Sequence, residues 1–152
     1  MTNVGNTYLV PDTLEPDLNR VQAYWDGLKR GENSIPFWDD VKFSLRARLA
    51  REAVLVEVFE NPQRFRFDIV GEDVARRYGE AFTGKFSNEI AARSPLDDFT
   101  GQCRATVERG APTYYRHEPK PQANDGYARM ILPLWGNGRI EMLLAAVAPS
   151  AS

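Results

Sequence analysis

Two runs, VLVEVF (residues 54–59) and RFRFDIV (residues 64–70), flank the tetrapeptide Glu60-Asn61-Pro62-Gln63. β-Branched and aromatic residues dominate both, and a polar, proline-bearing break separates them. Such a pair reads as an antiparallel hairpin with a short loop. In the second run the period is two: Phe65, Phe67 and Ile69 fall on one face, and Arg64, Arg66 and Asp68 on the other. One face of the hairpin is dry and the other wetter, so a sheet with a core against one side is the starting point.

Upstream the period is helical. Residues 1–15 read as a loose lead. From Pro16, the residues Leu14, Leu18, Val21, Trp25 and Leu28 recur at steps of three or four, and Gly31 ends the run. After Asn33-Ser34-Ile35-Pro36 a second helix is expected, with Asp39 or Asp40 near its start and Val41, Leu45 and Leu49 four apart on one face. Downstream, Gly71 punctuates, and residues 72–78 make two helical turns with Val74 and Tyr78 on one side. GEAFTGKF (79–86) leads to a short helix near 87–93. A longer helix opens at Ser94-Pro95, with Leu96, Phe99, Cys103 and Val107 at helical spacing and Gly110 past its end. Three strands close the chain, at 113–118, 127–134 and 139–147. A loop over 119–126 separates the first two, and Gly136-Asn137-Gly138 turns the last pair. Strand pairs separated by helices are the mark of an α+β fold with one antiparallel sheet.

At 152 residues the chain makes a single core. The formal charge of −2, from 19 basic and 21 acidic side chains, disfavours nucleic acid as the main partner. The Arg76-Arg77 pair and the Arg46, Arg48, Arg51 series have acidic neighbours and read as solvated helix faces. One cysteine excludes an internal disulfide and a cysteine-rich zinc site. The apolar run 142–148 is too short to cross a bilayer. No secretory pattern is visible at the start, and a reducing cytoplasm is the expected location.

The same order of elements, with the residues that carry it, resembles the PAS domain. More narrowly it is similar to a PAS-like family of small bacterial proteins, mostly alphaproteobacterial. The resemblance rests on Tyr24-Trp25, Gly31, Ile35-Pro36, Arg64-Phe65-Arg66-Phe67, Val70-Gly71, Gly79, Thr83-Gly84-Lys85, Leu132-Pro133-Leu134 and Met142-Leu143-Leu144. It covers about residues 20–148. It implies a five-stranded antiparallel sheet of order 2-1-5-4-3, with short helices over one face and a pocket between. Residues 1–50 would be an N-terminal helical extension and 51–148 the PAS-like domain. It also implies a sensory or signalling role without catalysis, through a small ligand or a partner protein.

GEAFTGKF lies one residue from the phosphate-binding pattern G-x-x-x-x-G-K-[ST]. A phosphate loop follows a strand and opens a helix, whereas EDVARRY before it is helical and Phe86 stands at the magnesium-binding position. A glycine turn is the better reading, and nucleotide is disfavoured. Cys103 shares a stripe with Leu96, Phe99 and Val107, a core setting rather than that of a nucleophile. Residues 101–104 bear a slight likeness to the flavin-adduct motif of light-sensing relatives, but their neighbours differ, which disfavours flavin. Haem would have Cys103 alone as an axial ligand on that helix, and a buried structural thiol is preferred. His117-Glu118 does not extend to H-E-x-x-H. The carboxylate pairs Asp39-Asp40 and Asp97-Asp98 stand at expected helix starts.

The residues expected to line the pocket are Phe67, Ile69, Tyr78, Phe99, Cys103, Tyr115, Met130, Leu132 and Leu144. The apolar stripe of the first helix is expected to form a homodimer together with the outer sheet face. A ligand-free interaction module with a filled core is the alternative. A third reading, a small α+β enzyme using Tyr115, Asp68 and Arg129, is hindered by Asp68 facing away from Phe67.

Overall fold

The computed structural model describes residues 7–45, 47–118 and 126–149; Arg46 and nearly all of the expected 119–126 loop lie outside them. The elements run α1 (Pro16–Gly27), α2 (Trp38–Ser44), α3 (Ala47–Glu52), β1 (Ala53–Phe59), β2 (Arg64–Val70), α4 (Glu72–Tyr78), a 3-10 turn (Ser87–Glu89), α5 (Phe99–Arg109), β3 (Thr113–His117), β4 (Tyr127–Gly136) and β5 (Arg139–Pro149). The strands form one antiparallel sheet in the order β2-β1-β5-β4-β3, so the fold is α+β as expected. Among the described residues no helix is long and apolar enough to cross a membrane.

Both faces of the sheet are covered. On one, Val54, Val56, Val58, Phe65, Phe67, Tyr127, Ile131 and Leu143 pack beneath α4, α5 and the segment between them, which form a lid. On the other, Ala53, Leu55, Met130, Leu132, Leu144 and Ala146 pack beneath α1 and α2. Two-sided cover explains why β4 and β5 read as nearly unbroken apolar runs. Proline in the first turn starts α1, and its stripe of Leu18, Val21 and Trp25 is buried on the chain's own outer sheet face. Trp25 Nε1 donates to Pro133 O at 2.9 Å, which fixes the helix in register. Each of these side chains contributes roughly 1.5–3 kcal/mol by leaving water.

Four local expectations change, the first being that the short helix expected near 87–93 is only the 3-10 turn Ser87–Glu89. The second helix is broken at Leu45, whose backbone is extended, into α2 and α3. The longer lid helix begins at Phe99 rather than at Pro95. In the hairpin, Leu55 pairs with Ile69 but Val56 pairs with Phe67, which leaves Asp68 as the extra residue of a β-bulge. The bulge reverses the parity, so Ile69 leaves the face of Phe65 and Phe67.

The sheet edges are shielded. Gly84 N donates to Phe67 O at 2.7 Å and Phe67 N to Lys85 O at 2.9 Å, which lays GEAFTGKF along the β2 edge. At the β3 edge Tyr114 N donates to Tyr8 O at 2.9 Å. Covered edges deny a pairing template to other chains.

Candidate functional site

Arg129 is the third residue of β4 and is fully buried. Alternation along the strand sends it to the lid side with Tyr127 and Ile131, while Ala128 and Met130 go to the other. Its Nε donates to Gln102 Oε1 (2.8 Å), its Nη1 to Pro95 O (2.9 Å) and its Nη2 to Asp97 O (2.8 Å). Tyr115 and Phe99 lie against the guanidinium at 4.7 and 5.0 Å. Gln102 extends the network to Thr113 Oγ1 (3.1 Å) and Arg129 O (3.2 Å), and Thr106 closes it onto Gln102 O and Thr113 Oγ1. Burial pulls the guanidinium below its ordinary value, yet arginine keeps its charge in proteins. The oriented carbonyls and the rings supply its solvation. Arg129 thereby holds the segment before α5 against the sheet.

Beside it Tyr127 OH donates to Asp97 Oδ2 at 2.7 Å and accepts from Asp97 N at 3.1 Å. His117 stacks on Tyr127 at 5.1 Å, with its Nδ1 3.9 Å from the same carboxylate oxygen. Burial and then the Asp97 hydrogen bond push the Tyr127 hydroxyl well above the ordinary phenol value.

Away from Arg129 the lid leaves a cleft of about 140 Å³. Phe67, Ile90, Leu96 and Phe99 give it apolar walls; Ser87, Thr100 and Asp98 supply polar groups. Ser87 Oγ and Thr100 Oγ1 lie 2.7 Å apart. Inward of the cleft the rings pack on one another: Phe67–Phe82 at 4.6 Å, Phe67–Phe99 at 5.2 Å and Tyr78–Phe82 at 5.0 Å.

Of the nine residues expected in the pocket, the structure brings Phe67, Tyr78, Phe99 and Cys103 together in the lid-side core, with Tyr115 packed against it. Met130, Leu132 and Leu144 lie on the opposite face beneath α1. The register explains this: Leu132 pairs with Leu144, whereas Val56, the partner of Phe67, pairs with Leu143. Ile69, turned by the bulge, is 38% exposed. Of the cleft residues, Ser87, Ile90 and Asp98 lie in turns or connecting segments that periodicity does not place, and Thr100 lies in the first turn of α5, which begins later than expected. Gln102 sits one residue from Cys103, on the same buried helix face.

The other chemical candidates find definite places. The Gly84 and Lys85 N–H groups are bonded to Phe67 O and Phe82 O, so they do not converge on an anion. Burial pushes the Cys103 thiol far above its ordinary value, opposite to what a nucleophile requires. A haem on Cys103 would need several times the volume of the cleft on a side packed with rings. Asp68 pairs with Lys42 of α2 at 3.1 Å on the far face, away from Tyr115 and Arg129. Among the described residues no three His, Cys, Asp or Glu side chains are grouped to hold a metal ion. Asp40 receives two hydrogen bonds from Arg30, at 2.8 and 2.6 Å. The chain matches no protein-family model and no curated protein.

Proposed function

We propose that the chain is a PAS-like sensory domain that binds a small ligand in the lid cleft and signals through a partner, without catalysis of its own. The strand order supports the PAS-like reading. The observation that carries ligand binding is the cleft itself, apolar walls with two adjacent hydroxyls beside α5. At about 140 Å³ it lies below the 300–1,000 Å³ usual for drug-sized ligands. It suits a molecule of about benzene size, which fills a cavity of about 150 Å³, carrying one hydroxyl or amine. A ligand seated there would favour one position of α5 over another. The lone buried cysteine accords with work in the cytoplasm.

Native mass spectrometry of the purified protein, followed by an NMR screen of small aromatic alcohols and amines, tests this. Shifts centred on Ser87, Thr100 and Gly101 are expected. No retained mass and no shift at those amides would overturn ligand binding. The ring-on-ring packing favours a second reading in that case, a ligand-free interaction module.

A homodimer through the N-terminal helix belongs to either reading. Since the apolar stripe of α1 is spent on its own sheet, the dimer would use the outward side, where Asn19, Arg20 and Ala23 are exposed. Solution mass of the intact chain and of Ala23→Arg decides: a dimer converted to monomer is expected, and an unchanged mass removes α1 from the interface.

A further inference from the structure

Residues 7–15 run as a strap beside the β3 edge before entering α1, and Tyr8 is its fixed point. The Tyr8 carbonyl accepts the Tyr114 N–H at 2.9 Å, and its hydroxyl donates to Asp98 Oδ2 at 2.5 Å. Its φ of +67° lies in the left-handed region, which an aromatic residue keeps only where surrounding contacts impose it. At the other end of the strap, both carboxylate oxygens of Glu15 accept from Tyr114 OH, at 3.1 and 3.0 Å. Between these points Leu14 is buried in the outer-face core and Val10 packs against it, whereas Leu9, next to Tyr8, is 57% exposed. Apolar burial therefore anchors the later part of the strap, and hydrogen bonds hold its Tyr8 end.

Asp98 is the residue before α5, lines the lid cleft, and follows Asp97, whose carbonyl Arg129 holds. Gly101 faces both latch partners. A Cβ there would lie 2.6 Å from Asp98 Oδ1 and 2.9 Å from Tyr8 OH. A helix interior otherwise favours alanine, and here the bare position is what leaves space for the tyrosine.

We infer that the Tyr8–Asp98 hydrogen bond is a releasable latch, through which the position of the first turn of α5 decides whether the strap stays on the β3 edge. Hydrogen bonds weaken steeply with misalignment, so a shift of Asp98 by about an ångström releases the hydroxyl. Tyr8 then relaxes from its left-handed conformation, and its carbonyl leaves the Tyr114 N–H. An edge amide without its acceptor is a position where another extended chain can pair. The inference goes beyond ligand binding, because the latch responds to any displacement of α5, whether a ligand or a partner moves it.

Amide exchange followed by NMR on the full chain tests the latch without any ligand. Protection of the Tyr114 amide is expected to fall at least ten-fold in Tyr8→Phe and in Asp98→Asn, with the Val21 and Trp25 amides of α1 unchanged. Gly101→Ala keeps both polar partners and is expected to have the same effect by crowding them. If Gly101→Ala also strips protection from α1, it has unfolded and the first two variants decide. By reciprocity, deleting residues 1–8 is expected to speed exchange at the Gln102 amide of α5. Unchanged Tyr114 protection in Tyr8→Phe and Asp98→Asn, or an unchanged Gln102 amide in the deletion, overturns the latch. A ligand that fails to appear in the cleft leaves these measurements standing.

Discussion

At Gly71 an added Cβ would lie 2.4 Å from the carbonyl oxygens of Ala50 and Arg51, and 2.7 Å from that of Ala53. These are backbone atoms, and they can move only if α3 unpacks from the start of β1. Gly71→Ala is therefore expected to cost more than roughly 3 kcal/mol, read as a fall in the urea midpoint; a cost below about 1 kcal/mol would mean that α3 yields freely. Arg129→Met leaves Pro95 O, Asp97 O and Gln102 Oε1 buried without their donor. An unsatisfied buried acceptor costs about 1–3 kcal/mol, so a loss of about 3 kcal/mol or more is expected in the same measurement. A loss within about 0.5 kcal/mol would show that the segment before α5 is held by other contacts. In the sequence Gly71 is legible as punctuation only, since its crowding comes from chain some 20 residues earlier. Arg129 is visible as a charge inside the apolar run YARMILPL. Its partners on the other side of β3 are not, because nothing local specifies them.

Among the elements, the hairpin and the five strands are legible because period-two patterning and β-rich composition act locally. The bulge at Asp68 is not: its extra residue is stabilised by Lys42, reached only once α2 has packed across the sheet. That one inserted residue defeats an alternation argument carried from Phe67 to Ile69. Parity failed differently at Met130, Leu132 and Leu144. Where both sheet faces are covered, an apolar run carries no sign of which face each residue takes. The lid cleft was legible only through Phe67 and Phe99, since turns supply most of its polar rim. For α1 the stripe was legible but its counterpart was not. The Trp25–Pro133 hydrogen bond makes a specific demand: Trp25→Phe keeps most of the apolar contact and loses the N–H, at about 1 kcal/mol. Trp25→Ala removes both, at about 3–5 kcal/mol. Thermal unfolding of the two variants checks the order: no loss in Trp25→Phe would show that the hydrogen bond contributes nothing, and equal losses that the apolar contact does not.

Over the whole molecule, folding raises the pH at which several hydroxyls and the thiol ionise. Burial is the first cause at Tyr8, Tyr114, Tyr115, Tyr127 and Cys103, with Tyr114 pushed up to about 12. The folded state therefore favours their protonated forms. The stabilisation is whole below the unfolded values, about 8.5 for the thiol and about 10 for the phenols, and is lost as pH rises toward the folded values. The melting temperature is expected to hold near neutrality and to fall steeply above about pH 10. Each well-buried group adds up to about 1.4 kcal/mol per pH unit to that fall; the half-exposed Tyr8, Tyr114 and Tyr115 add less. Tyr127→Phe should start lower at pH 7, having lost its bond to Asp97, and decline less steeply above pH 10. Parallel curves for the variant and the parent would rule out Tyr127 as a contributor.

The strand order also governs how the chain can be made. On a ribosome the β1–β2 pair emerges first and the β3–β4 pair later. The two share no backbone ladder, because β5, last in chain order, lies between β1 and β4 and bonds to both. Until residues 139–149 are available, the nascent chain holds two half-sheets with unsatisfied inner edges and no common core. Folding is thus a single late event set by long-range pairing, and the exposed intermediate is the form that chaperones would meet. A chain stopped at residue 138 is expected to lack a cooperative melting transition in circular dichroism, whereas a retained transition would mean that one half folds without β5.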